Sequence, residues 1–224
     1  MLSCPRSLPE ATIRPFSTDC YERAMVVYDD PKAAKFVWGA AFHWYMTHSY
    51  DNVRRVAEAW PEKGLLFTEG CNGAGPGMKH WNGAERYGTD LIHDFNNGAH
   101  GWTDWNLALD ERGGPNHVSN FCSAPVIVDT ERKTFELLPS YFALKYASLA
   151  ARPGSRRIAC ATSRDELEAM AFLQPGGAVG VFALNRSDED FAFSLKMEGR
   201  GAPVASPAHS MLLIRVPPGA GRAP

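Results

Sequence analysis

In the stretch from Gly64 to Cys71, a glutamate stands where a short apolar run ends and a glycine-rich segment begins. Residues 65–68 are apolar or β-branched and stand between glycines, which predicts a short buried strand of a parallel sheet. Glu69 ends that strand, and a glycine-rich loop follows it through Gly77. Parallel (β/α) barrels hold their catalytic groups at such strand ends. The stretch therefore predicts an active-site carboxylate, although a strand-end charge that merely faces water remains the simpler alternative.

Alternating strands and helices surround this stretch. Residues 37–45 form a continuous apolar run that predicts a strand, and residues 51–60 place Val53, Val56, Ala57 and Trp60 on one helical face. With the strand at 65–68 they form one βαβ crossover. A helix over 79–97 and a strand over 101–109 repeat the pattern. The alternation predicts a parallel sheet.

The remaining segments define the predicted organisation of the chain. Residues 1–18 hold three prolines and no periodic pattern, so we expect them to be irregular. Helices are expected at 19–28, 31–36 and 138–150, and a short strand at 126–128. After residue 156 short apolar runs separated by turns predict an antiparallel sandwich with strands at 158–161, 167–173, 179–184, 191–195 and 211–216. The predicted domains are a partial barrel at 19–152 and a β-sandwich at 153–217, followed by a disordered tail at 218–224.

Composition excludes several classes of protein. The 224 residues carry a net charge of −2, with 23 basic and 25 acidic residues and no basic stripe, so we expect no nucleic-acid partner. No apolar run reaches the roughly 18 residues of a membrane span. The first residues lack the basic and apolar regions of a signal peptide. The five cysteines are widely spaced and odd in number, which argues against a disulfide framework or a cysteine zinc site.

Three successive predicted strands end in Tyr45, Glu69 and Trp105. In a parallel barrel their side chains meet at one mouth. Aromatic walls around a carboxylate are typical of sugar-binding clefts, where the aromatic faces stack on pyranose rings. Taken one at a time, Tyr45 and Trp105 could equally be ordinary core aromatics.

The motifs themselves resemble glycoside hydrolase family 30, and within it the glucosylceramidase (acid β-glucosidase) branch. The strings that carry the resemblance are His-Trp-Tyr at 43–45, Phe-Thr-Glu-Gly-Cys at 67–71, Gly-Trp-Thr-Asp-Trp-Asn-Leu-Ala-Leu at 101–109 and Gly-Gly-Pro-Asn at 113–116. The segment at 30–39 and Asn-Arg-Ser at 185–187 are similar as well. The resemblance implies the C-terminal part of a (β/α)8 barrel, about strands six to eight, followed by a β-sandwich.

The resemblance also implies a function and roles for individual residues. The family hydrolyses β-glycosides with retention and needs no metal or organic cofactor, so the expected substrate is a β-glucoside or a glucosylceramide-like lipid. Glu69 matches the nucleophile and Tyr45 a tyrosine that contacts it. Trp105 and Asn120 match residues of the sugar pocket, and Cys71 a cysteine near the site. We add His43, at the same strand end as Tyr45, as a hydrogen-bonding candidate of the site.

One departure from the family pattern bears on activity. A retaining glycosidase needs two carboxylates roughly 5–5.5 Å apart, and the family's acid/base is a glutamate that follows an asparagine. No Asn-Glu pair occurs in this chain. Asp104 is expected to point away from the pocket by strand alternation, whereas Glu85 and Asp94 lie on a predicted outer helix. We therefore expect the isolated chain to be inactive or nearly so.

Three other possibilities remain open at this level. The chain could be a truncated relic whose sandwich serves as an interaction module. Its open barrel could self-associate, or it could bind a second chain that supplies the missing strands. A metal-dependent hydrolase would have to use His43, His48, His80 and His93, whose spacing matches no metal motif. The compartment stays undetermined, since related enzymes are often secreted or lysosomal.

Overall fold

The computed structural model describes residues 19–45, 50–73, 81–116 and 118–219. The helices are α1 (Asp19–Tyr28), α2 (Pro31–Ala34), α3 (Tyr50–Ala59), α4 (Trp81–Asn96) and α5 (Pro139–Ala150). The strands of the first half are β1 (Gly39–His43), β2 (Gly64–Glu69), β3 (Asn72–Gly73), β4 (Gly101–Trp102), β5 (Ala108–Asp110), β6 (Cys122–Ser123), β7 (Val126–Asp129) and β8 (Thr134–Leu137). The later strands are β9 (Arg156–Ile158), β10 (Leu167–Leu173), β11 (Val179–Asn185), β12 (Phe191–Met197), β13 (Arg200–Ser206) and β14 (Ser210–Val216). Residues 1–18, expected to be irregular, and 220–224 of the predicted tail lie outside the described ranges.

The chain divides into two compact units. One unit contains residues Met1–Gly73 and His93–Leu107, and the other contains Ala74–Ile92 and Ala108–Pro224. The division falls within α4, so it differs from the boundary expected near residue 153. That boundary stays a prediction.

The first unit is built on a parallel sheet in the order β1-β2-β4. Gly39 to Phe42 pair in register with Gly64 to Phe67, and the register shifts so that His43 lies opposite Glu69. Phe67 lies opposite Trp102 on β4. The predicted βαβ unit is therefore present, and the ends of its strands lie side by side at one edge of the sheet.

The connecting helices follow the predicted apolar patterns. On α3, Val53 and Val56 are buried, and Trp60 just beyond its end packs on Tyr28 of α1 with ring centroids 5.3 Å apart. After α4 the chain reverses at Gly98, whose φ of 106° suits glycine. A Cβ at Gly98 would lie 2.6 Å from that of Ala57, so a larger residue would also clash with α3.

The single strand expected at 101–109 is wrong. β4 ends at Trp102, and β5 begins at Ala108 and pairs with β7 rather than with β2. The backbone N–H of Trp105 donates to the Gly70 carbonyl at 2.9 Å, which draws residues 103–107 into a loop over the end of β2. Asp104 and Trp105 therefore lie in this loop, and the alternation argument for the direction of Asp104 does not apply.

Antiparallel sheets dominate the C-terminal part of the second unit. Four strands form a sheet in the order β14-β11-β10-β9, and β12 pairs with β13. Every residue of β11 is buried. A cavity of about 660 Å³ is lined by Ala171 and Val181 of the large sheet and by Phe193 of the β12–β13 pair, and Met197 packs against the buried cluster that includes Ala171 and Val181.

Four strands were not expected from the sequence, and one was misplaced. β3 and β6 have two residues each, and all four residues of β8 are exposed, so none of them shows a periodic pattern. β13 contains Pro203, which usually argues against a strand, but β13 is an edge strand with a single neighbour. β9 occupies 156–158 rather than 158–161, because its pairing with β10 ends at Ile158.

Two buried amide side chains stabilise the second unit. Gln174 donates through Nε2 to the carbonyls of Leu149 and Ala150 at 2.7 and 3.0 Å, and so caps the end of α5. Asn185, fully buried, donates to the carbonyls of Glu189, Ser206 and Pro207 and accepts from the hydroxyl of Ser187 at 2.7 Å. The Asn-Arg-Ser string noted in the sequence is thus a structural anchor.

Among the helices that the structure describes, none is both long enough and apolar enough to cross a bilayer.

Candidate active site

Glu69 occupies the last position of β2, between the ends of β1 and β4. Its side chain is 26% exposed, so the carboxylate reaches solvent from a largely enclosed position. The hydroxyl of Tyr45 donates a 2.9 Å hydrogen bond to Oε1 of Glu69. Such a bond to a carboxylate is stronger than one between neutral groups and fixes the carboxylate rotamer. The carboxylate of Glu69 at the end of β2 is therefore held in one orientation by Tyr45, which follows β1.

His43 lies beside this pair at the end of β1. Its Nδ1 is 3.9 Å from Oε1 of Glu69, which is beyond direct hydrogen-bond distance. Its ring meets the Tyr45 ring edge-on, with centroids 5.8 Å apart at 90°. The imidazole therefore contacts the ring that holds Glu69, and the expected role of His43 as a hydrogen-bonding residue of the site stays a prediction.

The rings of Trp44, Phe67 and Trp102 form a ring cluster at the ends of the three strands, in which Trp44 and Phe67 are buried and Trp102 is partly buried. Phe67 and Trp102 are stacked with centroids 4.2 Å apart and an angle of 6°. Trp44 meets both edge-on at 5.9 Å. Each ring comes from one of the three strand ends, so aromatic packing fixes those ends relative to one another.

The loop after β2 rests on the ring cluster. A Cβ at Gly70 would lie 3.0 Å from Cζ of Phe67 and 3.1 Å from Cε2 of Trp44, which is tighter than an ordinary van der Waals contact, so glycine suits the close approach. The Gly70 carbonyl accepts from the N–H of Trp105, whose side chain is half exposed. Cys71, partly exposed, follows directly. Trp105 and Cys71 thus both belong to segments joined to the residue after Glu69.

Comparison of the chain with known protein families shows where it belongs. The glycosyl hydrolase family 30 TIM-barrel domain matches residues 19–150, and the family 30 beta sandwich domain matches residues 154–212. This chain belongs to glycosyl hydrolase family 30. The partial barrel followed by a sandwich, expected from the sequence, is thereby confirmed.

Individual relatives give the extent of the match. Lysosomal acid glucosylceramidase of Mus musculus is 35% identical over 198 residues, which cover 84% of this chain and 38% of that protein. Putative glucosylceramidase 4 of Caenorhabditis elegans is 33% identical over 186 residues, 80% of this chain and 36% of that protein. The family 30 chain therefore spans little more than a third of the length of these relatives.

Solved structures agree with the sequence comparisons. SrfJ from Salmonella typhimurium superposes with a TM-score of 0.83 at 28% identity, covering 88% of this chain and 45% of that one. The endo-beta1,6-glucanase BT3312 superposes with a TM-score of 0.73 at 26% identity, covering 85% and 43%. The family 30 chain thus adopts the fold of part of each of these proteins.

Asn120, the remaining pocket candidate, belongs to the second compact unit. It is exposed, and its backbone is held by Asn116, whose Oδ1 accepts from the N–H of Asn120 and whose Nδ2 donates to its carbonyl. The sequence-based role of Asn120 in the sugar pocket stays a prediction.

The other carboxylates considered for this family 30 site have structural contacts. Oδ1 of Asp104 accepts from the N–H of Trp105 at 3.0 Å. Asp94 is 3% exposed, and its Oδ2 accepts from the indole N–H of Trp102 at 3.1 Å. Glu85 accepts from Trp81 and contacts His209. Sequence reasoning treated Asp94 as an outer-helix residue and missed its contact with the ring cluster.

The histidines proposed for a metal site do not come together in the described part of the chain. His48 and His80 fall outside the described residues. His93 stacks on Tyr50 with ring centroids 4.5 Å apart, and His43 lies at Glu69. Within the ranges described above, no group of three or more His, Cys, Asp or Glu residues is arranged to hold a metal.

A charged cluster in the second unit was also missed. Nδ1 of His209 lies 2.6 Å from Oε1 of Glu85 on α4, and Nε2 lies 2.7 Å from Oδ1 of Asp188. Hydrogen bonds to Glu85 and then to Asp188 raise the pKa of His209 above its ordinary value. His209 and Glu85 are 124 residues apart, so no local pattern could have paired them.

Proposed function

We propose that this chain carries the nucleophile of a retaining β-glycosidase, and that Glu69 is that nucleophile. The observation that carries the proposal is the hydrogen bond from Tyr45 to Oε1 of Glu69 at the carboxyl end of a buried parallel strand. This bond engages one carboxylate oxygen and leaves Oε2 as the oxygen that attacks.

The reaction follows from the chemistry of a fixed carboxylate. Oε2 of Glu69 bonds to the anomeric carbon as the bond from that carbon to the leaving oxygen breaks. The leaving oxygen takes a proton from a second carboxyl group, and a covalent glycosyl-enzyme remains on Glu69. The second group then removes a proton from water, which displaces Glu69 and releases the sugar with its configuration retained.

Aromatic side chains support a sugar as the ligand. Tyr45 and Trp105 are 45% and 50% exposed, so each presents a large part of its ring to solvent, while the hydroxyl of Tyr45 and the backbone N–H of Trp105 hold the two residues in place. Both flank the strand that ends in Glu69. Their faces suit the C–H faces of a pyranose ring, and we assign Trp105 to the wall of the sugar pocket.

The names of the relatives favour a β-glucosyl group. Two are a lysosomal acid glucosylceramidase and a putative glucosylceramidase. We therefore propose a β-glucoside or a glucosylceramide-like lipid as the substrate. Family membership supports glycosidase chemistry, whereas the aglycone is our inference from these names.

We further propose that the acid/base lies outside residues 1–224, whether on the same polypeptide or on a separate chain. The family's Asn-Glu pair does not occur in this sequence, and Asp94, Asp104 and Glu85 make the structural contacts described above. Loss of general acid catalysis costs about 10²–10⁴ in rate. Residues 1–224 alone should therefore act slowly, and best on substrates whose leaving group needs no proton.

The test uses 2,4-dinitrophenyl 2-deoxy-2-fluoro-β-glucoside, whose leaving group departs without an acid. We expect the mass of the 224-residue chain to rise by one fluoroglucosyl group and peptide mapping to place the adduct on Glu69. Glu69→Gln should abolish the adduct. Glu62→Gln, which removes an exposed carboxylate seven residues earlier, should leave it unchanged. A folded wild-type chain that gains no adduct, or an adduct that persists in Glu69→Gln, would refute the proposal.

A further inference from the structure

Asp94 is a buried carboxylate outside the sugar site. It lies near the end of α4 with 3% of its surface exposed. Its Oδ2 accepts a 3.1 Å hydrogen bond from Nε1 of Trp102, eight residues later in the chain. The indole is partly buried, and a hydrogen bond to a buried carboxylate favours one orientation of the Trp102 ring.

The orientation of Trp102 determines where its neighbours can lie. Trp102 and Phe67 are register partners on β4 and β2, and their rings are stacked at 4.2 Å. Trp44 packs edge-on against both. A ring turned about its side-chain torsions would lose the parallel stack, and in a closely packed core its neighbours would have to move.

The neighbours that would move are joined directly to the proposed site. Phe67 is two residues before Glu69 on the same strand, and Trp44 is adjacent to Tyr45. A Cβ at Gly70, which follows Glu69, would lie 3.0 Å from the ring of Phe67 and 3.1 Å from that of Trp44, so the backbone after Glu69 packs directly on both rings. A displacement of the ring cluster is therefore transmitted to both partners of the Tyr45–Glu69 hydrogen bond.

We propose that Asp94 is a positioning residue for Glu69, acting through Trp102 and Phe67, an inference that rests on the proposed function of Glu69. The carboxylate of Asp94 never meets the substrate. It fixes the indole of Trp102, the indole fixes Phe67, and the end of β2 then holds Glu69 at the distance from Tyr45 that one hydrogen bond requires.

The first measurement compares labelling of Glu69 by the fluoroglucoside in Asp94→Leu and Asp94→Asn. Leucine removes the acceptor, whereas asparagine retains an amide oxygen for the indole N–H. Displacement of a reacting group by about 1 Å costs up to about 10²-fold. We expect Asp94→Leu to lower the saturating rate constant of labelling at least about tenfold, with little change in the half-saturating concentration. Asp94→Asn should stay within about threefold of the wild type.

Asp90→Leu is the matched control for a purely structural role. Asp90 lies one turn earlier on α4, is 2% exposed, and its Oδ2 lies 3.7 Å from Nε of Arg86. The substitution Asp90→Leu should destabilise the chain but leave the saturating rate constant for labelling of Glu69 unchanged in the protein that remains folded. Equal loss of rate in Asp90→Leu and Asp94→Leu would overturn the proposal.

A second variant covers the case in which Asp94→Leu fails to fold. Trp102→Phe keeps a flat ring against Phe67 but removes the N–H donor. It should slow labelling in the same way as Asp94→Leu, and a rate equal to that of the wild type would overturn the proposal.

Spectroscopy separates this proposal from the proposed function. The ¹³Cδ signal of Glu69 and the ¹³Cζ signal of Tyr45 should shift in Asp94→Leu or Trp102→Phe and stay unchanged in Asp90→Leu. If the wild type gains no adduct but these signals shift, the nucleophile assignment fails while positioning by Asp94 stands. If they do not move, the positioning role is refuted whether or not labelling occurs.

Discussion

The hydroxyl of Tyr45 and Oε1 of Glu69 are 2.9 Å apart, although 24 residues separate them in the chain. The strands that end near them, β1 and β2, are parallel neighbours, and the register shift at their ends brings His43 opposite Glu69. One hydrogen bond therefore joins two consecutive βα units at the point where the proposed chemistry takes place.

Tyr45→Phe should slow labelling of Glu69 by the fluoroglucoside. A hydrogen bond to a charged group contributes about 1.5–3 kcal/mol, which corresponds to roughly 10–100-fold in rate if the bond is needed in the transition state. The measurement is the second-order labelling rate from intact mass. Tyr146→Phe on α5 is the control and should label as the wild type does; an unaffected Tyr45→Phe would show that the hydroxyl does not prepare the nucleophile.

Gly70→Ala should destabilise the first unit, because its Cβ would lie 3.0 Å from the ring of Phe67 and 3.1 Å from that of Trp44. Overpacking of this kind costs about 1–3 kcal/mol in the free energy of unfolding, measured by urea titration. Phe67→Leu in the Gly70→Ala background removes the nearest ring atom. The cost of Gly70→Ala should then fall, and strictly additive effects of the two substitutions would argue against a direct clash.

Asn185→Leu should destabilise the sandwich by about 1–3 kcal/mol, since it removes a fully buried amide that donates to three carbonyls, of which that of Ser206 lies in a buried hydrogen bond. The free energy of unfolding from urea titration gives the value. Asn82→Ala, on the exposed side of α4, should change it by no more than about 0.5 kcal/mol. A small effect at position 185 would mean that water replaces the amide.

His209→Asn should lower stability in a pH-dependent way. Asparagine tolerates the positive φ of 48° at this position but cannot carry the charge. Because the pKa of His209 is raised in the folded state, its contribution is fully present below its unfolded pKa and is lost as pH rises through the folded pKa. The Tm difference between wild type and variant should therefore be largest near pH 5.5 and smallest near pH 9. Glu85→Gln should reduce the same pH dependence, and a Tm difference that is constant across this range would rule out a protonated His209.

All five helices in the described ranges and the strands β1, β2, β7, β10, β11, β12 and β14 were predictable, because each carries a local pattern. Apolar runs predicted β1 and β2, and the amphipathic pattern that includes Val53 and Val56 predicted α3. The nearness of Tyr45 to Glu69 followed from the rule that parallel strands end at one edge of a sheet. The assignment of catalytic and sugar-binding roles to these residues stays a prediction.

What the sequence could not reveal depends on contacts between distant residues. Residues 101–109 fit a continuous strand, yet the Gly70 carbonyl bonds to Trp105 and pulls the chain away after Trp102. The sequence pattern places Asp94 on the outer face of a helix. In the structure, the tight reversal at Gly98 returns the chain so that Trp102 bonds to Asp94. Such outcomes are decided by register between elements, and a single sequence carries no local sign of them.

The ring cluster, with Tyr45, Glu69 and Asp94, lies entirely within the first compact unit. The contacts that orient the proposed nucleophile therefore form when this one unit folds. In the reaction that we propose, attack on the anomeric carbon depends on this unit, whereas protonation of the leaving oxygen depends on a residue that we place outside residues 1–224. The two halves of the proposed reaction are accordingly separable by experiment.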